Sequence, residues 1–419
     1  MKKIRNFLYD SKDKIKSAYI WNTSSAMLNA FQTVFILMLI SRIDPVVDAG
    51  VFTIAFAIGN LIMSIGKYGI RQYQVSDIEE KYSYKEYVLS RWITSIAAVI
   101  FSVIYVGYNF FIGLYDGQKG IVIILVCLAK VVDSFEDVFH GMLQQKNRLD
   151  IAGKVLTVRM IGYILVYMAV YGMTENLIMA SGISLAVTLV MFFILNYAAV
   201  KDFPVKKRTK EKKNVFKLLL ECFPLFAASY LVMYIGNAPK YAIDKVMSSE
   251  DQACFNYIFM PVFVIGLMSQ FVYQPVISKM ALMWAKKEKQ KFGKIICQQM
   301  LIIVGLTVVV LVGGYLLGIP VLSLVYGIDL QNYKSELLVL LIGGGALAFV
   351  NFFQMIITVA RKQKWLFSGY LAVFLVFIFM GKHIVASFGI MGISIFYDVV
   401  VAGLALFFGI LTGFIMKKM

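Results

Sequence analysis

The chain has 419 residues, of which 60% are apolar and only 16% charged, with a formal net charge of +17. A soluble domain carries nearer a quarter charged residues, and a single water-soluble core stops growing at roughly 250–300 residues. An ordinary soluble protein is therefore excluded, and the excess apolar surface belongs in a bilayer. The first sixteen residues are mostly basic and polar. A full apolar span follows them and another comes soon after, which predicts that there is no cleavable signal peptide. The sequence predicts spans at roughly 19–41, 50–66, 92–113, 120–142, 155–173, 177–197, 218–240, 254–277, 295–317, 337–359, 366–381 and 388–415. The runs Trp21–Ile40, Leu177–Tyr197 and Ile295–Leu317 contain no Asp, Glu, Lys or Arg. Each is about 20 residues long, enough for a helix to cross roughly 30 Å of hydrocarbon.

The basic residues sort sharply between alternate connecting segments. Those on the N-terminal side of the membrane hold 34 Lys and Arg, with Arg159 counted in its adjoining loop. The other side holds six (Arg42, Lys119, Lys240, Lys245, Lys334, Lys382), and Lys130 falls within a span. By the positive-inside rule the first set is cytoplasmic. The net charge is then a topology signal and a contact with anionic headgroups, not a nucleic-acid footprint. The most basic loop, Lys201–Lys217, lies near the midpoint. The expected fold is an all-α polytopic membrane protein of about twelve transmembrane helices, with both termini cytoplasmic. Residues 1–200 and 218–419 are expected to form two six-helix bundles around one central cavity, with 201–217 a basic cytoplasmic linker. The segments Asp44–Phe52 and Met247–Phe255 occupy equivalent places in the halves, a weak internal echo consistent with paired bundles. The longest outside loop is expected near Gly318–Glu336.

Polar residues inside the spans fall on helical stripes. They are Asn22, Ser25, Asn29 and Gln32 in the first span, and Asn60, Ser64, Lys67 and Arg71 in the second. Asn237, Lys240, Tyr241 and Asp244 share a face in the seventh, around Pro239 and after Pro224. Gln270, Tyr273 and Gln274 follow in the eighth, and Asn351, Gln354 and Thr358 in the tenth, which ends at Arg361. Any one of these amides serves as well for helix–helix hydrogen bonding as for lining a cavity. The set together points to a wet interior. Arg71 and Arg91 stand at cytoplasmic span ends, where snorkelling to the interface is the expected role.

The fourth span is the most polar, with Lys130, Asp133, Ser134, Glu136, Asp137 and His140. Lys130 and Asp133 can pair at i,i+3, and Asp137 continues their face. The row is either a self-neutralising ladder or a proton- or sodium-responsive site. Asp398, a lone acid in the last span, is open to the same two readings. The four cysteines lack paired spacing and read as small hydrophobes, and two histidines cannot make a metal cluster. No phosphate-binding loop and no nucleophile–base arrangement is present, so neither a built-in ATPase nor an enzyme is expected. No cofactor is expected either. The run Gly343–Gly345 reads as close packing or a hinge.

The segment Tyr234–Trp284 carries N-x-P-K-Y-x-I-D (Asn237, Pro239, Lys240, Tyr241, Ile243, Asp244), then Phe259, Met260, Pro261 and Phe263, then Gln274 and Pro275. With Val321–Leu340 and, more loosely, Gly69–Asp77, it resembles the Wzx-type polysaccharide flippases of the multidrug/oligosaccharidyl-lipid/polysaccharide exporter superfamily. The resemblance extends over the whole 6+6 layout. It implies a bacterial inner-membrane protein that moves an undecaprenyl-pyrophosphate-linked oligosaccharide outward by alternating access, for O-antigen or capsule synthesis. A polysaccharide polymerase and a chain-length regulator would be its partners, beside membrane lipids. Lys240, Arg42 and Arg71 are then candidates to follow the pyrophosphate. Asn29, Gln32, Asn237, Gln270, Tyr273 and Gln274 could face the sugars, with Asp244 beside them. Lys130, Asp133, Asp137, His140 and Asp398 are the candidates for ion coupling. Two negative charges leaving an inside-negative cell would gain about 4–5 kcal/mol per 100 mV, so no ATPase is required. The alternatives are a drug–cation antiporter of the same superfamily, a flippase for another anionic cell-wall precursor, and a polymerase or ligase of the pathway. The first span offers only Asn and Gln where such antiporters commonly carry an acid, and no large outside loop exists for a polymerase.

Overall fold

The computed structural model describes residues 2–44, 46–77, 81–203, 215–273, 276–360, 362 and 364–417. Within them the chain is helical and forms two compact units, one of Met1–Asp44 and Val51–Met233, the other of Pro45–Gly50 and Tyr234–Met419. The first contains α1 (Lys2–Tyr9), α2 (Lys14–Ile43), most of α3 (Val47–Lys67), α4 (Ile70–Ser76), α5 (Tyr84–Phe111), α6 (Gly117–Gln145), α7 (Leu149–Thr174), α8 (Leu177–Val200) and most of α9 (Val215–Ile235). The second contains α10 (Ala238–Asp244), α11 (Ser249–Phe259), α12 (Val262–Tyr273), α13 (Ile277–Ala285), α14 (Lys289–Gly313), α15 (Ile319–Tyr326), α16 (Lys334–Val359) and α17 (Lys364–Lys417). Among the described residues, ten helical segments are long and apolar enough to cross a membrane. α6 matches them in length but carries Lys130, Asp133, Glu136 and Asp137 in its middle.

Helix starts follow their capping residues. Asp13, Asp116 and Asn176 accept backbone N–H bonds at the heads of α2, α6 and α8, and Ser83–Glu86 and Ser248–Asp251 form capping boxes for α5 and α11. In lipid the apolar effect does not drive helices together, so packing falls to close approach and polar contacts. In the first unit, α3 is the most enclosed helix. Gly59 and Gly66 let α6 lie against it. A Cβ at 59 would stand 3.1 Å from the Lys130 stem, and one at 66 would meet the Ser134 side chain.

Four segments depart from the sequence reading. The seventh span ends at Ile235, and Pro239 lies in the first turn of the separate α10, where its missing N–H costs nothing. The eighth is split between α11 and α12 at Met260–Pro261. The expected loop after Gly318 is largely helix: α14 passes through a π-helical turn, Gly314–Gly318, into α15, and ends at the left-handed Gly327. The last two spans run together through Lys382, separated only by a break at Gly389 (φ 60°, ψ −151°). In the first two cases a helix breaks inside an expected span, and in the last two helix continues where a turn was expected.

The start of α9, which the sequence groups with the second half, is tied to the first unit. Glu221 accepts from Lys81 Nζ at 2.6 and 2.7 Å and from the Tyr73 hydroxyl, and Tyr68 stacks on Phe226 at 4.4 Å. The bond to Glu221 holds the Lys81 ammonium above its ordinary pKa range.

Candidate functional site

The polar face of α6 is the centre of the first unit. At spacings of three and four residues it presents Lys130, Asp133, Glu136, Asp137 and His140, all but the two aspartates fully buried. Arg159 of α7 reaches across to two of them. Its Nε donates to Glu136 Oε2 at 2.9 Å, and Nη1 lies 2.7 Å from Asp133 Oδ1. Nη2 also lies 2.8 Å from Glu136 Oε2 but off its N–H direction, so it adds charge contact without a hydrogen bond. Asn196 of α8 donates to Glu136 Oε1 at 2.8 Å, and Lys130 Nζ lies 3.4 Å from Asp133 Oδ2. The ammonium also sits 4.9 Å from the centre of the Phe56 ring.

One turn on, Asp137 takes two arginines. Arg71 Nη1 lies at 3.0 Å and Arg91 Nη2 at 3.4 Å. Arg71 is steered by Gln144 (3.0 Å), and Arg91 by the Gly66 carbonyl (2.5 Å), which Thr94 also reaches (2.8 Å). Arg91 is 0% exposed, so it does not snorkel. Its helix begins at Tyr84, which places position 91 two turns inside. Arg159 is likewise not at a loop: α7 starts at Leu149, and the guanidinium is buried ten residues in. His140 Nε2 stands 3.9 Å from Glu136 and makes no hydrogen bond. Lys67, at the end of α3, is within electrostatic reach of both Asp133 and Asp137 yet forms no ion pair among the described residues. Five cations (Lys67, Arg71, Arg91, Lys130, Arg159) thus face three carboxylates. Fixed carboxylates lower the cost of holding buried cations, which would otherwise be several kcal/mol each.

A small cavity opens onto this network, lined by Gln32, Lys130, Asp133, Arg159, Tyr163 and Thr188 among others, with room for about one water. Of the first-span stripe, only Gln32 reaches it. Asn29 is exposed and accepts from Gln32 Nε2 at 2.9 Å. Asn22 donates to the Leu149 carbonyl of α7, so that end of the stripe is helix–helix glue. Arg42 is exposed at the end of α2.

In the second unit, Lys240 and Asp244 lie buried in the short helix α10, and Asn237 stands at its N-cap. Lys240 Nζ lies 5.5 Å from the centre of the Phe259 ring, and no acid among the described residues lies within ion-pair distance of it. Phe259 in turn packs on Tyr397 at 5.3 Å, next to Asp398. Asp398 has a buried Oδ1 with no hydrogen-bond partner and lies against Gly343. The neighbouring Gly344 and Gly345 admit the α12 backbone and the Thr307 side chain, so the glycine run is a packing surface. Tyr273 is buried 5.6 Å from Phe352, and Gln354 accepts from the Tyr370 hydroxyl at 2.6 Å as glue between α16 and α17. The side chain of Gln270 and all of Gln274 and Arg361 lie outside the described residues.

Sequence reasoning missed Arg159, Asn196, Tyr163 and Thr188. Arg159 left one signal, a cation followed by a further fifteen uncharged residues of the same helix.

The sequence pattern of a family described as polysaccharide biosynthesis protein matches residues 15–281, more than half of the chain. The chain belongs to the polysaccharide biosynthesis protein family. The capsular polysaccharide biosynthesis protein CapF of Staphylococcus aureus is 23% identical over 333 residues, 77% of this chain and 80% of that one. The fold is that of the transporters of the MOP superfamily. An inward-facing multidrug resistance MATE family transporter of that superfamily superposes with a TM-score of 0.67 at 12% identity, covering 93% of this chain and 95% of its own. A MOP superfamily transporter from Pyrococcus furiosus, noted for the reverse polarity of its binding pocket, gives 0.54 at 13% identity, with 99% and 98% covered. This family member is thus a multi-pass membrane protein with a transporter fold.

Proposed function

We propose that the protein is a flippase that carries undecaprenyl-pyrophosphate-linked oligosaccharide units from the cytoplasmic to the outer leaflet of the bacterial inner membrane. It would do so with twelve spans and both termini in the cytoplasm, by alternating access, and would supply the assembly of capsule or a related surface polysaccharide. The observation that carries this is the cation surplus at depth. Among the described residues, five Lys and Arg face three carboxylates in the first unit, and Lys240 is buried with no acid within ion-pair distance in the second. A surplus of that sign attracts a pyrophosphate and repels the cationic drugs that an antiporter of the same superfamily would export. The family and the CapF relative support the polysaccharide setting.

The acids of α6 act in this mechanism as fixed counter-charges. Asp133, Glu136 and Asp137 each hold an arginine, which leaves the cations ordered for the cargo without a free coupling carboxylate. Asp398 has no cation within ion-pair distance among the described residues and is the better candidate for proton coupling. The membrane potential drives the anionic headgroup outward.

The test is complementation of a bacterium that lacks its own polysaccharide flippase, scoring surface polymer by immunoblot beside Lys240→Ala. Polymer restored by the native chain and lost with Lys240→Ala supports the reading. Polymer restored equally by both removes Lys240 from the path. No polymer despite membrane expression, together with drug efflux, would replace the proposal with the antiporter.

A further inference from the structure

A groove of about 720 Å³ runs along the outer face of the first unit between α5, α6 and α8. Volumes of this order hold small ligands. Its length on α5 is set by Val88 at one end and Ile100 at the other, twelve residues or about 18 Å. That is close to the hydrocarbon depth of one leaflet, about 15 Å. The walls are aromatic: Trp92 stacks edge-on to Phe135 at 4.7 Å, and Phe192 closes on Phe135 at 6.0 Å and Phe139 at 5.9 Å.

Two features mark this groove off from ordinary lipid-facing surface. The first is a pair of orphaned polar atoms. Ser95 and Asn196 line the groove, and their buried Oγ and Oδ1 atoms have no hydrogen-bond partner among the described residues. Ser95 lies seven residues from Val88 and Asn196 five from Lys201, so both stand about 7–11 Å inside the same end. The second is the charge at that end. Lys201 lines it with its ammonium 5.7 Å from the Tyr197 ring, and the exposed Lys85 lies one turn before Val88. Neither forms an ion pair among the described residues, and both belong to the cytoplasmic set of basic residues.

We propose that this groove is a site for an anionic phosphoglyceride of the cytoplasmic leaflet. One acyl chain lies along the aromatic wall, an ester carbonyl accepts from Ser95 Oγ, and the phosphate rests between Lys201 and Lys85. Neutral hydrocarbon alone would leave the Ser95 hydroxyl without an acceptor and both ammonium groups without a counter-charge. Asn196 joins the groove floor to the buried network through its 2.8 Å bond to Glu136, so a seated lipid also braces the Glu136–Arg159 pair.

The test uses the full chain in nanodiscs of equal phosphatidylglycerol and phosphatidylethanolamine, released into mild detergent and weighed by native mass spectrometry. Phosphatidylglycerol should be retained over phosphatidylethanolamine by about five- to thirtyfold, the range for one or two lysine contacts. Lys201→Gln with Lys85→Gln should bring the ratio to parity, and Leu189→Trp, which fills the groove, should remove both lipids. Circular dichroism checks that each variant is folded. Equal retention by the native chain, an unchanged ratio in the double variant, or native-level retention in Leu189→Trp would each overturn the site. Displacement by added polyprenyl phosphate at equal concentration would overturn it too, making the groove part of a cargo path. The readout needs no transport and stands whether or not the flippase reading does.

Discussion

A carboxyl oxygen of Asp398 occupies the place where the Cβ of any residue other than glycine would stand at position 343. The last span and α16 are therefore fitted to each other at that level, with an acid seated directly on helix backbone. Gly343→Ala should push the carboxylate away and destabilise the second unit by about 1–3 kcal/mol, the usual cost of overpacking. Asp398→Ala in the same chain should recover most of the loss by removing the obstructing atoms. Thermal unfolding in detergent of the two single variants and the double variant measures this, and equal loss in the single and the double would refute the fit.

Arg159 is the residue on which the first unit's charges converge. Arg159→Met leaves Glu136 with Asn196 alone and Asp133 with Lys130 at 3.4 Å, so a loss of about 3–5 kcal/mol is expected. Replacing Glu136 with Leu in the same chain removes one stranded charge and should return part of that loss. A double-mutant cycle with Arg159→Met and Glu136→Leu gives the coupling, and a value near zero would show that the pair contributes nothing to the fold.

Much of this architecture is legible in the residues themselves. The span pattern follows from length and charge-free runs, because a bilayer demands both. The i,i+3 contact of Lys130 with Asp133 was predicted from spacing and is present at 3.4 Å. Partners from other helices were not legible. Arg159 and Asn196 reach Glu136 only because α7 and α8 pack beside α6, and no local pattern encodes that. Breaks inside apolar sequence were not legible, as at Met260–Pro261, where one expected span is two helices, and the helix runs on through Gly318, where a loop was expected. Amide stripes were ambiguous for a physical reason: Asn22 and Gln32 share one face, yet the first meets a neighbouring carbonyl and the second a cavity.

Lys67 separates charge needed for cargo from charge needed for folding. It lies near Asp133 and Asp137 but forms no ion pair among the described residues, so Lys67→Gln should change stability by no more than about 0.5 kcal/mol. A charge-assisted contact to a pyrophosphate is worth about 1.5–3 kcal/mol, which predicts polymer export falling about ten- to a hundredfold in the complementation assay. Lys67→Arg should retain most of it. Unchanged export with Lys67→Gln would remove this residue from the cationic path.

Lys154 fastens the N-terminal helix to the first unit. Its buried ammonium donates to the carbonyls of Phe7 (2.9 Å), Leu8 (3.3 Å) and Asp10 (2.9 Å) and to Ser11 Oγ (3.0 Å). Those carbonyls form the C-terminal end of α1, where orphan acceptors and the negative end of the helix dipole favour a cation. Leu8 is fully buried beside it, and the Tyr9 hydroxyl donates to Ala199 at 2.9 Å, so α1 is held at one end by a single charged knot. Lys154→Met keeps the stem but strands these acceptors, and α1 should detach. Limited trypsin digestion should then cleave after Lys2, Lys3, Arg5 and Lys12 at least several-fold faster than in the native chain. Arg5→Gln is the control, since the Arg5–Asp202 pair is exposed at 3.4 Å and such pairs contribute about 0–1 kcal/mol. Its remaining sites should be cut at the native rate. If Lys154→Met digests no faster than the native protein, apolar contact through Leu8 alone holds the helix, and the ammonium is dispensable.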